Sequence, residues 1–181
     1  MTLPPVRHAL VVVAHPDDES FGLGGVLDLL TRGGTEVSVL CFTHGEASTL
    51  HGRSGDLFRV REAELAAAAA VLGVRDTGLL PYPDGALAGV ALDELVAHVQ
   101  RAVANGAPSH IVVFDEGGVT GHPDHARATE AAVRTAKDLP VLAWTIPDTV
   151  ADALNTEFGT AFRGRPATEI DWTLTVDRTR Q

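Results

Sequence analysis

The chain has one cysteine, one methionine and one tyrosine in 181 residues, and aromatics make up only 5% of it. A lone thiol, Cys41, rules out an internal disulfide and a closed cysteine metal site; within the apolar run VSVLCF it reads as a small buried hydrophobe in a reducing compartment. Basic residues are scarce as well: 14 Lys and Arg stand against 24 Asp and Glu, a formal charge of -10. Unspecific nucleic-acid binding needs a cationic surface that displaces counterions, so no nucleic-acid partner is expected. One locally basic stretch, His51, Arg53, Arg59 and Arg61, leaves room for an anionic small molecule. No apolar run approaches the roughly 18 residues of a membrane span. The opening stretch MTLPPVRHALVVVAHP has too short an apolar core for a signal peptide. A cytoplasmic protein with no membrane partner is the expectation.

What is present is alternation. Three apolar, β-branched runs read as strands buried on both faces: 8–14, 36–42 and 109–114. Segments of helical period lie between them at 21–32, 58–72 and 92–104, each closed by glycine, and a fourth runs over 123–137 with Pro123 in its first turn. Strands alternating with helices imply a single α/β domain over 1–181 with a mostly parallel, doubly wound sheet. Further strands are expected at 141–145 and at 168–177, the latter alternating and therefore at an edge or antiparallel. The stretches 43–57 and 79–90 are polar, rich in Gly and Pro, and read as loops.

Two clusters carry the chemistry: VVVAHPDDESFGLGG at 11–25 and GVTGHPDHARA at 119–129. Each follows a strand, and ligands of open parallel sheets bind beyond the carboxyl ends of the strands, so both belong to one rim. His15 and Asp18, three apart across Pro16, can aim at one point, and His125 at a helix start can complete a His-Asp-His set with a fourth position left to water. Asp17 then suits a general base, His122 an oxyanion stabiliser or proton donor to a leaving amine, and Asp124 a residue that orients a histidine. Each cluster alone also reads as a helix start, since Asp is a leading N-cap. Their coincidence at two strand ends favours the metal site. GLGG at 22–25 lacks the spacing of a dinucleotide loop and suits close helix-to-sheet packing; no nucleophile elbow or phosphate loop is present. His98 and His110 read as structural, His51 has no ligand-type neighbours, and His44 lies in a rim loop.

AHPDDE at 14–19 together with GHPDH at 121–125 resembles the LmbE-like, or PIG-L, superfamily of zinc-dependent de-N-acetylases, over most of the chain up to about residue 177. The resemblance implies a Rossmann-like three-layer fold. It also implies hydrolysis of an N-acetyl or related N-acyl group on an amino-sugar conjugate or similar small polar molecule. It makes His15, Asp18 and His125 the zinc ligands (ferrous iron being the alternative), Asp17 the general base for the attacking water, and His122 the oxyanion stabiliser supported by Asp124. VREAEL at 60–65 resembles the family helix whose arginine contacts substrate, which points to Arg61; an exposed arginine paired with Glu64 or Glu62 is the alternative. LPYPDG at 80–85 resembles the loop whose aspartate holds a sugar hydroxyl, Asp84; an ordinary Pro-Asp-Gly turn is the alternative. Glu46 in THGEAS matches a rim motif that shapes the pocket. Thr120 stands where some relatives place a tyrosine, so no tyrosine contribution to the oxyanion is expected; many relatives continue past the last strand with a further helical segment, so the substrate wall is expected to be either open or completed by a second subunit in a homo-oligomer. The rival readings are a non-catalytic sugar- or metal-binding module and a metal-dependent phosphoesterase, the latter needing further carboxylates for a second metal.

Overall fold

Strand β1 (His8–Val13) is buried at every position, which is why its sequence is a continuous apolar run rather than an alternation. Leu10 and Val12 face one helical layer while Ala9, Val11 and Val13 face the other. The computed structural model describes residues 3–48 and 57–176. In it β1, β2 (Glu36–Thr43), β3 (Asp76–Tyr82), β4 (His110–Phe114) and β5 (Val141–Trp144) form one sheet in the order β3-β2-β1-β4-β5, every pairing parallel. Helices α1 (Gly24–Arg32) and α2 (Leu57–Leu72) send Leu27, Leu30 and Leu65 into one core. From α3 (Leu92–Gly106) and α4 (Pro123–Ala136), Leu95, Val99, Ala128, Ala131 and Ala132 fill the other. Each fully buried Leu or Val contributes about 1.5–3 kcal/mol. The α/β class expected from the alternation is the class observed, with a wholly parallel sheet among the described residues. No described helix is long and apolar enough to cross a membrane.

The chain runs outward from β1 through β2 to β3, then returns to the other side of β1 for β4 and β5. The reversal falls between β1 and β4, and crevices form at such switch points beyond the strands' carboxyl ends. His15 follows β1 by two residues, and the α4 cluster follows β4 through the 115–121 turn.

Several boundaries differ from expectation. Residues 79–82, expected as loop, belong to β3, an edge strand only partly buried, with Gly78 and Pro81 inside it. A proline lacks the ladder donor, and the β2 pairing shifts register between Cys41 and Thr43 opposite it. Helix α5 (Asp148–Phe158), which no periodicity announced, buries only Ala151. The expected helix at 21–32 divides into a π-type turn, Asp18–Gly22, and α1. The glycine expected to allow close packing does so at Gly22, where a Cβ would lie 2.5 Å from the Phe114 ring. The strand expected over 168–177 is absent from its described part: a 3-10 turn at Ala167–Glu169 leads into irregular chain to residue 176. The alternating apolar residues there form no hydrogen-bond ladder with another strand among the described residues.

Candidate active site

The first cluster is built by a chain that leaves β1 and turns sharply. Ala14 is buried, Pro16 fixes its own φ, and Asp17 takes a positive φ of 104° that side chains seldom tolerate. The Asp17 carbonyl accepts from the amides of Ser20 (3.0 Å) and Phe21 (2.7 Å). Asp18 is thereby folded back under the strand end, where its Oδ2 accepts from the amides of Ala14 (3.1 Å) and His15 (2.9 Å). The second cluster sits on the first turn of α4, whose N-cap is His122 with Pro123 next.

The two clusters meet. His15 Nδ1 lies 3.1 Å from His125 Nε2. His125 Nε2 lies 3.0 Å from Asp18 Oδ1, and His15 Nδ1 lies 3.8 Å from Asp18 Oδ2. His15, Asp18 and His125 are all buried. His125 Nδ1 faces the Gly118 carbonyl at 3.2 Å and Thr120 Oγ1 at 2.9 Å. A carbonyl only accepts, so Nδ1 carries the proton and, in the neutral ring, the Nε2 lone pair points at the Asp18 carboxylate. Electron-rich atoms facing one another this closely need a positive species between them. Donors at about 2.0–2.1 Å around a tetrahedral ion lie roughly 3.4 Å from one another, and the three separations bracket that value. The donor set therefore fits a borderline divalent cation. Without one, a proton takes the role. Burial pulls the His125 pKa down, but the Asp18 carboxylate more than offsets it and the net shift is up. For Asp18 burial pushes the pKa up, yet His125 and His15 carry it below the ordinary value.

His122 stands beside this cluster, its ring 4.7 Å from that of His15 and edge-on to it. One nitrogen each of His15, His122 and His125 lie within 4.8 Å of one another. Its Nδ1 accepts the Asp124 amide as the cap of α4 (3.2 Å), which places the proton of the neutral ring on Nε2. A protonated Nε2 donates a hydrogen bond and cannot ligate an ion. Burial, then the two neighbouring histidines, holds the His122 pKa below the usual histidine value, so the neutral donor form is favoured over imidazolium.

The remaining expected residues fall around this centre. Asp17 Oδ2 is held 2.7 Å from Arg61 Nη2. Arg61 is buried on the α2 face that also carries Leu65 and Ala69, and it reaches the Pro16 carbonyl and Glu64 Oε2 (2.9 Å) as well. The pairing with Glu64 is thus present, but the arginine is not exposed. Burial pushes the Asp17 pKa up and Arg61 opposes it, with the balance upward. Asp84 lies in a genuine turn, Ala86 N donating to the Pro83 carbonyl, and its Oδ2 accepts from Ala47 N (3.0 Å). Its Oδ1 is 2.9 Å from His15 Nε2, close but out of line for a hydrogen bond. Asp124, fully buried, accepts from the amides of Gly85 (2.8 Å) and Leu87 (3.1 Å) and stands 3.5 Å from His15 Nε2. Asp124 therefore faces His15 as well as capping into His122 through its amide. His15, Asp84 and Asp124 also form a group that could hold an ion; with Nδ1 of His15 turned to His125 and Asp18, the two carboxylates beside its Nε2 suit orienting the imidazole. Glu46 Oε1 accepts from Asp84 N (2.9 Å). His44 packs its ring on Phe58, 4.6 Å between centroids. His51 and Arg53 lie outside the described residues. Thr120, noted in the sequence only as a replacement for tyrosine, meets His125 with its hydroxyl, and one neighbour carried no signal strong enough to be singled out: Glu19, buried as the third of three successive acids.

Comparison with known proteins agrees with this geometry. Residues 10–137 match the PIG-L family, described as GlcNAc-PI de-N-acetylase. A Bacillus cereus protein named Probable N-acetyl-alpha-D-glucosaminyl L-malate deacetylase 2 is 34% identical over 140 residues, covering 74% of this chain and 63% of its own length. The 1D-myo-inositol 2-acetamido-2-deoxy-alpha-D-glucopyranoside deacetylase of Salinispora arenicola is 33% identical over 159 residues, 74% of this chain and 52% of that protein. The chain thus spans between half and two thirds of the length of these relatives. Among solved structures, a conserved protein from Thermus thermophilus superposes with a TM-score of 0.59 at 28% identity, over 77% of this chain and 62% of the other. The N,N'-diacetylchitobiose deacetylase from Pyrococcus horikoshii gives a TM-score of 0.65 at 22% identity, over 90% and 58%, and shares the fold. A profile match over most of the chain, laid on a His-Asp-His cluster at the sheet's switch point, leaves one conclusion: the chain belongs to the PIG-L family.

Proposed function

We propose that the protein is a zinc-dependent hydrolase that removes an N-acetyl group from an amino-sugar conjugate. The observation that carries the reading is the convergence of His15 Nδ1, His125 Nε2 and the Asp18 carboxylate within 3.0–3.8 Å, with the Asp17 carboxylate of the same turn held by Arg61. His15, Asp18 and His125 would hold the zinc, which supplies a Lewis acid for the acetamide carbonyl and lowers the pKa of water.

The protein's own groups do the rest. Arg61 engages Asp17 Oδ2, leaving Oδ1 to take a proton from the attacking water. The water oxygen bonds to the carbonyl carbon, and the negative charge that collects on the carbonyl oxygen is met by the His122 Nε2–H. The C–N bond then breaks as the protonated Asp17 returns its proton to the departing nitrogen, giving acetate and a free amine. Assigning that transfer to Asp17 rests on His122, whose Nδ1 is committed to the α4 cap and whose pKa burial and the two neighbouring histidines hold below the usual histidine value. Asp84 and Glu46, just past the ends of β3 and β2, are the residues nearest to hand for a sugar hydroxyl, while Arg61 serves as the clamp on Asp17. The phosphoesterase reading would need a second ion, and the nearest further carboxylates, Asp84 and Asp124, both face Nε2 of His15, the same imidazole that offers Nδ1 to the first.

Amine release from a panel of N-acetylated amino sugars and their conjugates tests this. Release that is abolished by a chelator and restored by zinc supports it; ferrous iron restoring more activity than zinc would correct the metal. No amine from any member, or release indifferent to chelator, overturns it.

A further inference from the structure

Glu19 is 1% exposed, the deepest-set acid of the first cluster, and the reaction outlined above gives it no task. Its Oε2 accepts the backbone N–H of Asp17 at 2.9 Å, and its Oε1 is buried without a hydrogen-bond partner. The residue it holds is the one with the rare backbone: Asp17 at φ 104°, ψ -25°. On the other side of that residue the carbonyl is pinned by the Ser20 and Phe21 amides and by the Ser20 hydroxyl at 3.0 Å. The Asp17 side chain is fixed separately by Arg61. Such a conformation persists only when its surroundings over-determine it, and here the contact to the Asp17 N–H is made by a single side chain.

We propose that Glu19 is a positioning residue: by accepting the Asp17 amide it sets the peptide orientation that brings the Asp17 carboxylate to the reacting water. The inference rests on the hydrolase reading, in which Asp17 moves the proton. A carboxylate that merely filled space would have no reason to reach the Asp17 N–H from a fully buried position two residues away. The reach is specific: a side chain one methylene shorter on the same backbone cannot span to the Asp17 N–H, whereas a glutamine keeps an oxygen at the same distance.

The test compares the zinc-loaded full chain with Glu19→Ala, Glu19→Asp and Glu19→Gln, on whichever N-acetylglucosaminyl compound of the panel the parent hydrolyses. Misplacing a reacting group by about 1 Å costs on the order of 10²-fold. The expected result is a fall of that size in kcat for Glu19→Ala and Glu19→Asp. KM should stay within about threefold and zinc per chain should match the parent, the pattern of an interaction used in the transition state. Glu19→Gln should recover kcat to within about tenfold of the parent. Parental kcat in Glu19→Asp, no recovery in Glu19→Gln, or a loss that follows zinc content would each overturn the assignment. Should Glu19→Ala fail to fold, the contrast between the aspartate and glutamine variants decides it. A parent that releases no amine overturns the hydrolase reading and this role with it, whereas an active parent with unaffected variants overturns the role alone.

Discussion

The His122 ring accepts the Asp124 amide through Nδ1, and this contact decides what its other nitrogen can do. His122→Ala should keep its metal yet lose on the order of 10²-fold or more in kcat, the usual cost of one oxyanion donor; elemental analysis and amine release on the same preparation check both halves. Asp18→Ala should lose the metal instead. It also orphans the buried amides of Ala14 and His15, each worth about 1–3 kcal/mol, so a denaturant titration should show a less stable protein than His122→Ala. Arg61→Met separates two roles: as the clamp on Asp17 it should lower kcat with little change in KM, whereas a purely substrate-binding arginine would raise KM first. At this scale the residue types and strand-end positions made His15, Asp17, Asp18, His122 and His125 legible in the sequence. The partners were not. That Arg61 turns inward follows from the 61, 65, 69 spacing on α2, and that Asp124 faces His15 depends on where the β3 turn brings its amides. Glu19 was hidden because its contact is to a backbone amide, and no side-chain pattern records that.

Elements that are buried on both faces wrote themselves plainly. β1 and β4 are continuous apolar runs with every position buried. β3 and α5 were obscure for the opposite reason: an edge strand with a proline, and a helix burying one alanine, leave no period to read. The turn before α4 offers a test at this scale. Gly121 has φ 78°, and an added Cβ would lie 2.7 Å from the Ala161 carbonyl oxygen, a backbone atom with little room to yield. Gly121→Ala should therefore destabilise by roughly 1–3 kcal/mol, through backbone strain and overpacking, and should lower kcat as well, because His122 is the next residue. Thermal unfolding and turnover measured together check this; a variant with parental values in both would show that the turn is softer than its geometry implies.

For the molecule as a whole, a metal held by His15, Asp18 and His125 would be a stability element. Binding to the native state alone stabilises by about 2.7 kcal/mol at a free concentration 100 times Kd. Zinc should raise the melting temperature of the parent, chelator should lower it, and Asp18→Ala should respond to neither; differential scanning fluorimetry reads all three. The fold class was legible from alternation alone, because a parallel sheet needs a crossover between each pair of neighbouring strands. The end of the described chain was not legible, because alternation alone does not make a strand: residues 170–176 run irregularly and form no ladder with β5, the edge strand of the sheet. That end is nevertheless tied to the turn that precedes α4. Arg163 N donates to Val119 O (2.6 Å), the Arg165 guanidinium pairs with Asp115 and Glu116, and Arg165 N donates to Ile146 O (2.9 Å) in the connection after β5. A protease nick between α5 and this segment would cut a remote tether, and catalysis would slacken although every reacting group remained in the molecule.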